Sequence, residues 1–407
     1  MKDLESALTS TADYDAQGVM TPKPYDALLL ASFGGPEGQE DVIPFLRNVT
    51  RGRGIPDERL EEVATHYRAN GGVSPINEQN RALKAALEAE LAAQGIDLPV
   101  YWGNRNWDPF IQPTLEQMYE SGHRRVLMLS TSAYSGYSSC RQYREDAGVA
   151  LKASGLEGKL EVDKVRQYFN TPGFIQPSVE GLKEGLASVR EQLAQSGNPD
   201  GQIKIVFATH SIPNSDADAA GPRDKSYLEG TFPVEEWPAA DLYSAQHLAV
   251  AQEMLAQVPE AAGLEHSLVF QSRSGAPHIP WLEPDINDAF EEYKEQGVAG
   301  VVVMPIGFIS DHMEVLWDLD TEAEQTAADL GLAFHRAPTA GTHPAFVQGL
   351  VGLVKERLGL STGRAAATTC GAWFDVCRPE CCVKVMRDGT TKPTIAAVDA
   401  EVKAPAL

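Results

Sequence analysis

The stretch Ala27-Leu-Leu-Leu-Ala-Ser-Phe-Gly-Gly-Pro36 begins as an unbroken apolar run and ends in glycine and proline. A second stretch, Ile203-Lys-Ile-Val-Phe-Ala-Thr-His-Ser-Ile-Pro213, is also apolar at its start apart from one lysine, and it ends in proline. Continuous apolar runs bounded by turn residues are typical of strands that are buried on both faces of a parallel sheet. Amphipathic helical stretches alternate with such runs along the chain. The pattern therefore predicts an α/β fold with parallel sheets.

The two halves of the chain repeat the same order of elements. Asp108-Pro109 precedes a helical stretch and a strand at 125–130, and Glu283-Pro284 precedes a helical stretch and a strand at 301–305. We expect each proline to open its helix. The repeat predicts two similar Rossmann-like, doubly wound lobes around a cleft, although common βαβ patterns alone could produce it. Five segments are expected: a mobile arm (1–24), the lobes (25–172 and 173–343), a helix packing back on them (344–361) and a Cys-rich tail (362–407).

The composition excludes several kinds of partner. The 407 residues carry a formal charge of −23, which argues against nucleic acid and anionic membrane surfaces, so an anionic ligand needs a local basic patch. The longest apolar run, 298–309, is too short for a membrane helix. The N-terminus lacks the apolar segment of a secretory signal, and we expect a soluble, cytoplasmic protein.

In doubly wound lobes, ligands bind outside the carboxyl ends of the strands. His210 stands at such an end, after the apolar run that starts at Ile203. Burial there favours the neutral imidazole, which can act as a base or a metal ligand. The alternative is a cleft histidine that merely bonds to the backbone.

Three carboxylates, Glu314, Asp318 and Glu322, follow one another at intervals of four residues. On a helix they form one row, which a π-bulge would straighten. Like charges at this spacing destabilise a helix unless something compensates them, so the row suggests a path for a divalent cation. An ordinary solvated acidic face is the competing interpretation.

Two further groups stand out. Arg51 and Arg53 are spaced by glycine and could present guanidinium groups to carboxylates, or could lie in a plain surface turn. Four cysteines, which lack the spacing of a standard zinc site, cluster near the C-terminus. They suggest a metal or redox role, or a tail of reduced thiols. These cysteines are Cys370, Cys377, Cys381 and Cys382.

Four separated motifs resemble ferrochelatases, the enzymes that insert ferrous iron into porphyrins. Two of them are parts of the stretches quoted first, residues 28–36 and 207–213. The others are Tyr67-Arg-Ala-Asn-Gly-Gly-Val-Ser-Pro-Ile-Asn77 and Pro305-Ile-Gly-Phe-Ile-Ser-Asp-His-Met-Glu-Val-Leu316. The resemblance covers roughly residues 25–360 and implies two Rossmann-like lobes around a porphyrin cleft. It also implies contact with the porphyrin substrate and transient contact with other proteins of haem synthesis.

By this resemblance, His210 and Glu314 match the family's metal site and catalytic pair. Asp318 and Glu322 match an acidic row that leads to a secondary metal site. Ser74 and Tyr143 match porphyrin-contacting positions. Where several relatives carry an axial tyrosine, this chain has Phe33, which we expect to pack on the macrocycle face.

The chain is most similar to the actinobacterial branch, which implies coproporphyrin III as the substrate. The four propionates of that porphyrin make Arg51 and Arg53 the expected binding residues. Insertion into protoporphyrin IX and a non-catalytic tetrapyrrole or metal carrier remain the alternatives. The resemblance further suggests a [2Fe–2S] cluster on the four tail cysteines, with Cys140 replacing one of them if the adjacent pair cannot both reach it.

Overall fold

The structure, a computed structural model, describes residues 13–52, 54–226, 241–274, 278–384 and 389–398. Within these ranges eight strands form two sheets, and each ladder between neighbouring strands is parallel. The first sheet contains β1 (Ala27–Ser32), β2 (Val100–Asn104), β3 (Arg125–Ser130) and β4 (Glu161–Lys164). The second contains β5 (Gln202–His210), β6 (Glu265–Gln271), β7 (Val298–Met304) and β8 (Ala333–Arg336).

Both sheets have the same strand order, β2-β1-β3-β4 in one and β6-β5-β7-β8 in the other. The prediction of two similar doubly wound lobes is therefore confirmed. In this order the chain reverses direction across the sheet beside β1 and β5, and ligands of such folds bind outside the carboxyl ends of the strands at that point. The topology thus places Phe33 and His210 at equivalent positions.

The central strands are buried because helices cover both faces of each sheet. The six residues of β1 are buried throughout, as the unbroken apolar run predicts. The sequence patterns did not predict the edge strands β4 and β8. Each has four residues that include charged ones, too few to produce a recognisable pattern.

Helices surround the two sheets. In chain order they are α1 (Val42–Val49), α2 (Asp57–Ala69), α3 (Ile76–Ala93), α4 (Ile111–Glu120), α5 (Gln142–Ala153), α6 (Pro172–Gln195), α7 (Asn214–Asp218), α8 (Leu242–Ala256), α9 (Ile286–Glu295), α10 (Met313–Trp317), α11 (Glu324–Asp329) and α12 (Pro344–Leu358). π-Helical turns precede α5 (Tyr137–Arg141) and join α10 to α11 (Asp318–Ala323). Of the helices in the described ranges, none is both long and apolar enough to cross a bilayer.

The expectation that Pro109 and Pro284 open their helices is wrong by two residues. Both prolines follow cis peptide bonds. The Pro109 carbonyl accepts a hydrogen bond from the N–H of Asn104, and the Pro284 carbonyl accepts one from Phe270. Each proline therefore still belongs to an extended segment beside β2 or β6, and α4 and α9 begin only after it.

The C-terminal helix α12 packs against α6 and α3 and so touches both lobes. Its approach to α6 is close enough to require glycine. A Cβ atom on Gly173 would lie 2.4 Å from the carbonyl oxygen of Ala345. The helix ends at Gly359, whose φ of 72° is in the left-handed region.

The described parts of both terminal segments are docked on the lobes. Met20 is buried, and its N–H donates to the carboxylate of Asp375 in the tail. Ile395 is fully buried in the core of the first lobe, where its N–H donates to the Arg144 carbonyl. Residues 13–24 thus have a defined place against the fold, which differs from the mobile arm expected there, and residues 1–12 lie outside the described ranges.

Candidate active site

His210 is the last residue of β5, and its side chain is 31% exposed toward the cleft. The ring nitrogen Nδ1 contacts the carbonyl oxygen of Ser211. A carbonyl can only accept, so Nδ1 carries the proton in this contact. The other nitrogen, Nε2, faces Glu314 and is the atom that the cleft can use.

Glu314 is held at the start of α10 by two neighbouring side chains. His312 caps this helix, because its Nδ1 accepts from the N–H groups of Glu314 at 3.2 Å and Val315 at 3.4 Å. The side-chain amide of Gln271 donates to the Glu314 carbonyl at 3.1 Å. The carboxylate itself stays 48% exposed in the cleft. The sequence patterns do not single out His312 or Gln271. His312 lies two residues before Glu314, and Gln271 pairs with His210 across the β5–β6 ladder.

The Nε2 atom of His210 lies 3.5 Å from the Oε2 atom of Glu314. Burial opposes charge on both groups, but their mutual attraction outweighs it, raising the pKa of His210 to about 9 and lowering that of Glu314 to about 2. The expectation of a neutral His210 is therefore wrong for the ligand-free protein. It rested on burial alone, without the carboxylate.

The acidic row (Glu314, Asp318 and Glu322) runs from this pair to the surface. A π-helical turn begins at Asp318, as a straightened row requires. Burial, aided by Glu314, raises the pKa of Asp318 to about 7, and the Ser272 hydroxyl donates to its carboxylate. In the described part of the chain, no three His, Cys, Asp or Glu side chains converge on one metal position. The row therefore presents its carboxylates to a cation one after another, not as a single group around one position.

The first lobe carries an aromatic wall (Phe33, Phe45, Tyr67 and Trp107), in which Phe45 is buried and the other three rings are partly exposed. The rings of Phe33 and Phe45 lie 6.4 Å apart, and those of Phe45 and Tyr67 lie 5.8 Å apart. Burial raises the pKa of Tyr67, and the nearby charges of Glu314 and Asp318 raise it further. Tyr67 thus connects the wall to the acidic row.

Ser74 and Tyr143 are both buried beside the end of β1. A Cβ atom on Gly35 would lie 2.7 Å from the Cβ atom of Ser74, so the glycine lets the serine approach. The Tyr143 hydroxyl lies 3.5 Å from the Thr131 hydroxyl, just beyond β3. The structure therefore gathers these two predicted porphyrin contacts near Phe33.

Arg105 links Phe33 to Tyr143. Its guanidinium lies 5.7 Å from the Phe33 ring centre and 4.8 Å from that of Tyr143, and its Nε is 2.6 Å from Asp146. This arginine directly follows β2, and its position after a strand end is the pattern that could have identified it.

Arg51 does not join this group. Arg51 is exposed just after α1, and its guanidinium contacts the side chain of Asn48. Arg53 lies outside the described residues. The structure therefore leaves the expected propionate-binding role of this loop untested.

Pairwise sulfur contacts link the cysteines in a different combination from the tail quartet. The Cys382 sulfur lies 3.8 Å from that of Cys140 and 3.9 Å from that of Cys381. Cys377 pairs with Cys381, and this contact lowers the pKa of Cys377 to about 6. The Cys370 sulfur instead contacts the Thr368 hydroxyl at 2.8 Å. Cys140 thus takes the place expected of Cys370.

Known proteins match the chain over nearly all of its length. The ferrochelatase family model matches residues 25–358. A coproporphyrin III ferrochelatase of Leifsonia xyli is 55% identical over 385 residues, which cover 94% of this chain and 97% of the relative. One of Streptomyces coelicolor is 52% identical over 373 residues, covering 89% and 95%.

Among solved structures, SirB from Bacillus subtilis with Fe3+ has a TM-score of 0.43 at 12% identity, covering 84% of this chain and 99% of that chain. The assignment of the chain to a family rests on the sequence matches. Because the family model and both relatives span most of it, the chain belongs to the ferrochelatase family.

Proposed function

We propose that this protein inserts ferrous iron into coproporphyrin III, giving iron coproporphyrin III and two protons. The observation that carries the proposal is the His210–Glu314 pair, which stands at the inner end of the acidic row and opposite the aromatic wall. The substrate class follows the names of the two relatives described above.

Metal insertion requires that two pyrrole N–H protons leave and that the ion lose its water. Ferrous iron enters along Glu322 and Asp318, whose oxygens replace water one step at a time. The proton on His210 must leave before its Nε2 can bind iron or accept a pyrrole proton. Asp318, with a pKa of about 7, is the neighbouring group that can take and release protons near neutral pH.

The flat apolar faces of the porphyrin suit the aromatic wall, where Phe33 packs on the macrocycle and Ser74 and Tyr143 line its edge. The charge of Arg105 is already matched by Asp146. We therefore assign to this arginine the role of holding the rings of Phe33 and Tyr143 in place. We assign Arg51 and Arg53 to the propionates, because a guanidinium group can pair with a carboxylate through two hydrogen bonds.

The experiment that tests this function is anaerobic insertion of Fe(II) into coproporphyrin III and protoporphyrin IX side by side. We expect turnover of coproporphyrin to exceed that of protoporphyrin by at least about tenfold in kcat/KM, because two additional charged contacts contribute to its binding. Faster turnover of protoporphyrin would reverse the substrate assignment. Binding of either porphyrin without turnover would identify a carrier instead.

We also propose a [2Fe–2S] cluster held by Cys140, Cys377, Cys381 and Cys382. Two thiolates bound to one tetrahedral metal at about 2.3 Å lie roughly 3.8 Å apart, which matches the spacing between the sulfurs of Cys140 and Cys382. Hydrogen bonds from Cys140 and Cys381 and from the Gly221 N–H lower the pKa of Cys382, while the same sulfur contacts raise the pKa values of Cys140 and Cys381. A metal would have to displace the protons of these two thiols to bind all four sulfurs. When bound, such a cluster supplies one-electron redox chemistry.

Replacing Cys140 with serine is expected to remove the visible absorption of the cluster and its iron and sulfide, because one of four ligands is lost. Replacing Cys370 with serine is the matched control, since its sulfur contacts Thr368 and Asn170 instead. Both variants are purified anaerobically and analysed by absorption and by iron and sulfide content. Loss of the cluster in the Cys370 variant, or its retention in the Cys140 variant, would contradict this ligand set.

A further inference from the structure

A ring stack joins the two lobes at the outer end of the acidic row. His66 lies on α2 of the first lobe and Trp317 ends α10 of the second. Their ring centres are 4.2 Å apart, and the ring planes differ by only 8°. Tyr67, the next residue along α2, belongs to the aromatic wall. The stack therefore ties the row to the wall that faces it.

The same tryptophan holds the outermost carboxylate. The indole Nε1–H of Trp317 donates to the Oε1 atom of Glu322 at 2.8 Å. These residues are five apart, and the π-helical turn between them places both on one face. Glu322 is exposed, so without this bond its carboxylate could turn freely into the solvent. With Oε1 engaged by the indole, Oε2 stays available to a cation.

We propose that Trp317, braced by His66 from the opposite lobe, is a positioning residue that fixes Glu322 for capture of the incoming divalent metal. The inference deepens the proposed function and rests on it. It assigns the stack to the loading of iron, separate from the insertion step at His210. Loss of the indole N–H should therefore raise the KM for Fe(II) and leave kcat and porphyrin affinity in place.

The test compares Trp317→Phe, which keeps an aromatic ring for the stack but removes the donor, with Glu322→Gln as the reference. We expect Trp317→Phe to raise the KM for Fe(II) about three- to tenfold, the range for losing an ordinary hydrogen bond, because water can partly replace the indole at the exposed Glu322. The value of kcat should stay within about twofold, and porphyrin affinity, measured by fluorescence quenching, should not change. The double variant should be no worse than Glu322→Gln alone, because both changes remove one interaction.

Gln325→Leu is the matched control. This substitution removes a side-chain hydrogen bond to Asp329, which is also 2.8 Å long and lies on α11, beyond the acidic row. We expect no change in the KM for Fe(II). His66→Ala, which leaves the indole in place but removes its brace, should give a smaller rise in KM and serves if Trp317→Phe does not fold.

The outcomes separate the two proposals. If Glu322→Gln raises the KM for Fe(II) but Trp317→Phe and His66→Ala do not, the positioning role is overturned and the proposed function stands. If Glu322→Gln has no effect on KM, the row does not load iron and both the positioning role and this part of the proposed function fail. A fall in kcat equal to the rise in KM would also overturn the positioning role.

Discussion

Replacing His210 with alanine is expected to abolish iron insertion while porphyrin still binds. The imidazole is the only basic nitrogen that the described part of β5 presents to the cleft, and its Nε2 faces Glu314 at 3.5 Å. Loss of a group that binds the metal or moves a proton in the rate-limiting step typically costs two to four orders of magnitude. We expect a loss of at least about a thousandfold in kcat, measured anaerobically by the appearance of the metalloporphyrin spectrum.

Porphyrin affinity should change little, because in the proposed complex the macrocycle packs on the aromatic wall, which belongs to the other lobe. His343→Ala is a suitable control, since His343 also pairs with a glutamate, Glu180, at 3.1 Å but on the protein surface. That variant should retain turnover. Turnover in His210→Ala close to that of the control would remove His210 from the mechanism.

Replacing Glu314 with glutamine is expected to have two linked effects. Insertion should fall about a hundredfold or more, because a carboxylate ligand at the inner end of the acidic row is lost. The pKa of His210 should also fall from about 9, because burial lowers it and Glu314 is the strongest of the groups that raise it, with the Ser211 carbonyl and Asp318 contributing less. The imidazole of the variant should therefore lose its proton at a lower pH.

The titration is measured by NMR on the metal-free protein, through the ring protons of His210. Glu180→Gln provides the comparison, because it alters the partner of His343 and leaves His210 untouched. A pKa of His210 that stayed near 9 in Glu314→Gln would show that another group stabilises the charged imidazole.

Much of the fold could be predicted because its central strands are buried on both faces. Such strands leave unbroken apolar runs, of which Ala27–Ser32 is the clearest. The edge strands Glu161–Lys164 and Ala333–Arg336 carry no such pattern. Their place in the sheet is set by pairing with β3 and β7, which no local window of sequence reveals.

The site was predictable in its membership but not in its electrostatics. His210 ends β5 and Glu314 lies in the segment after β7, at the strand ends where ligands bind in this kind of fold. The charge on His210, however, depends on a distance of 3.5 Å between residues far apart in the chain. Cys140 shows the same limit. Proximity in sequence favoured Cys370, whereas the folded tail brings Cys382 to within 3.8 Å of Cys140.

The equivalent strand order of the two lobes has a stereochemical consequence for a flat ligand between them. The two faces of a porphyrin have the same energy in an achiral solvent. In the proposed complex one face would meet Phe33 and the other His210, which occupy matching positions on a repeated scaffold. The different residues at these matching positions would make the two faces unequal. Iron would then enter from the side of His210, and hydrocarbon would close the opposite side of the ring.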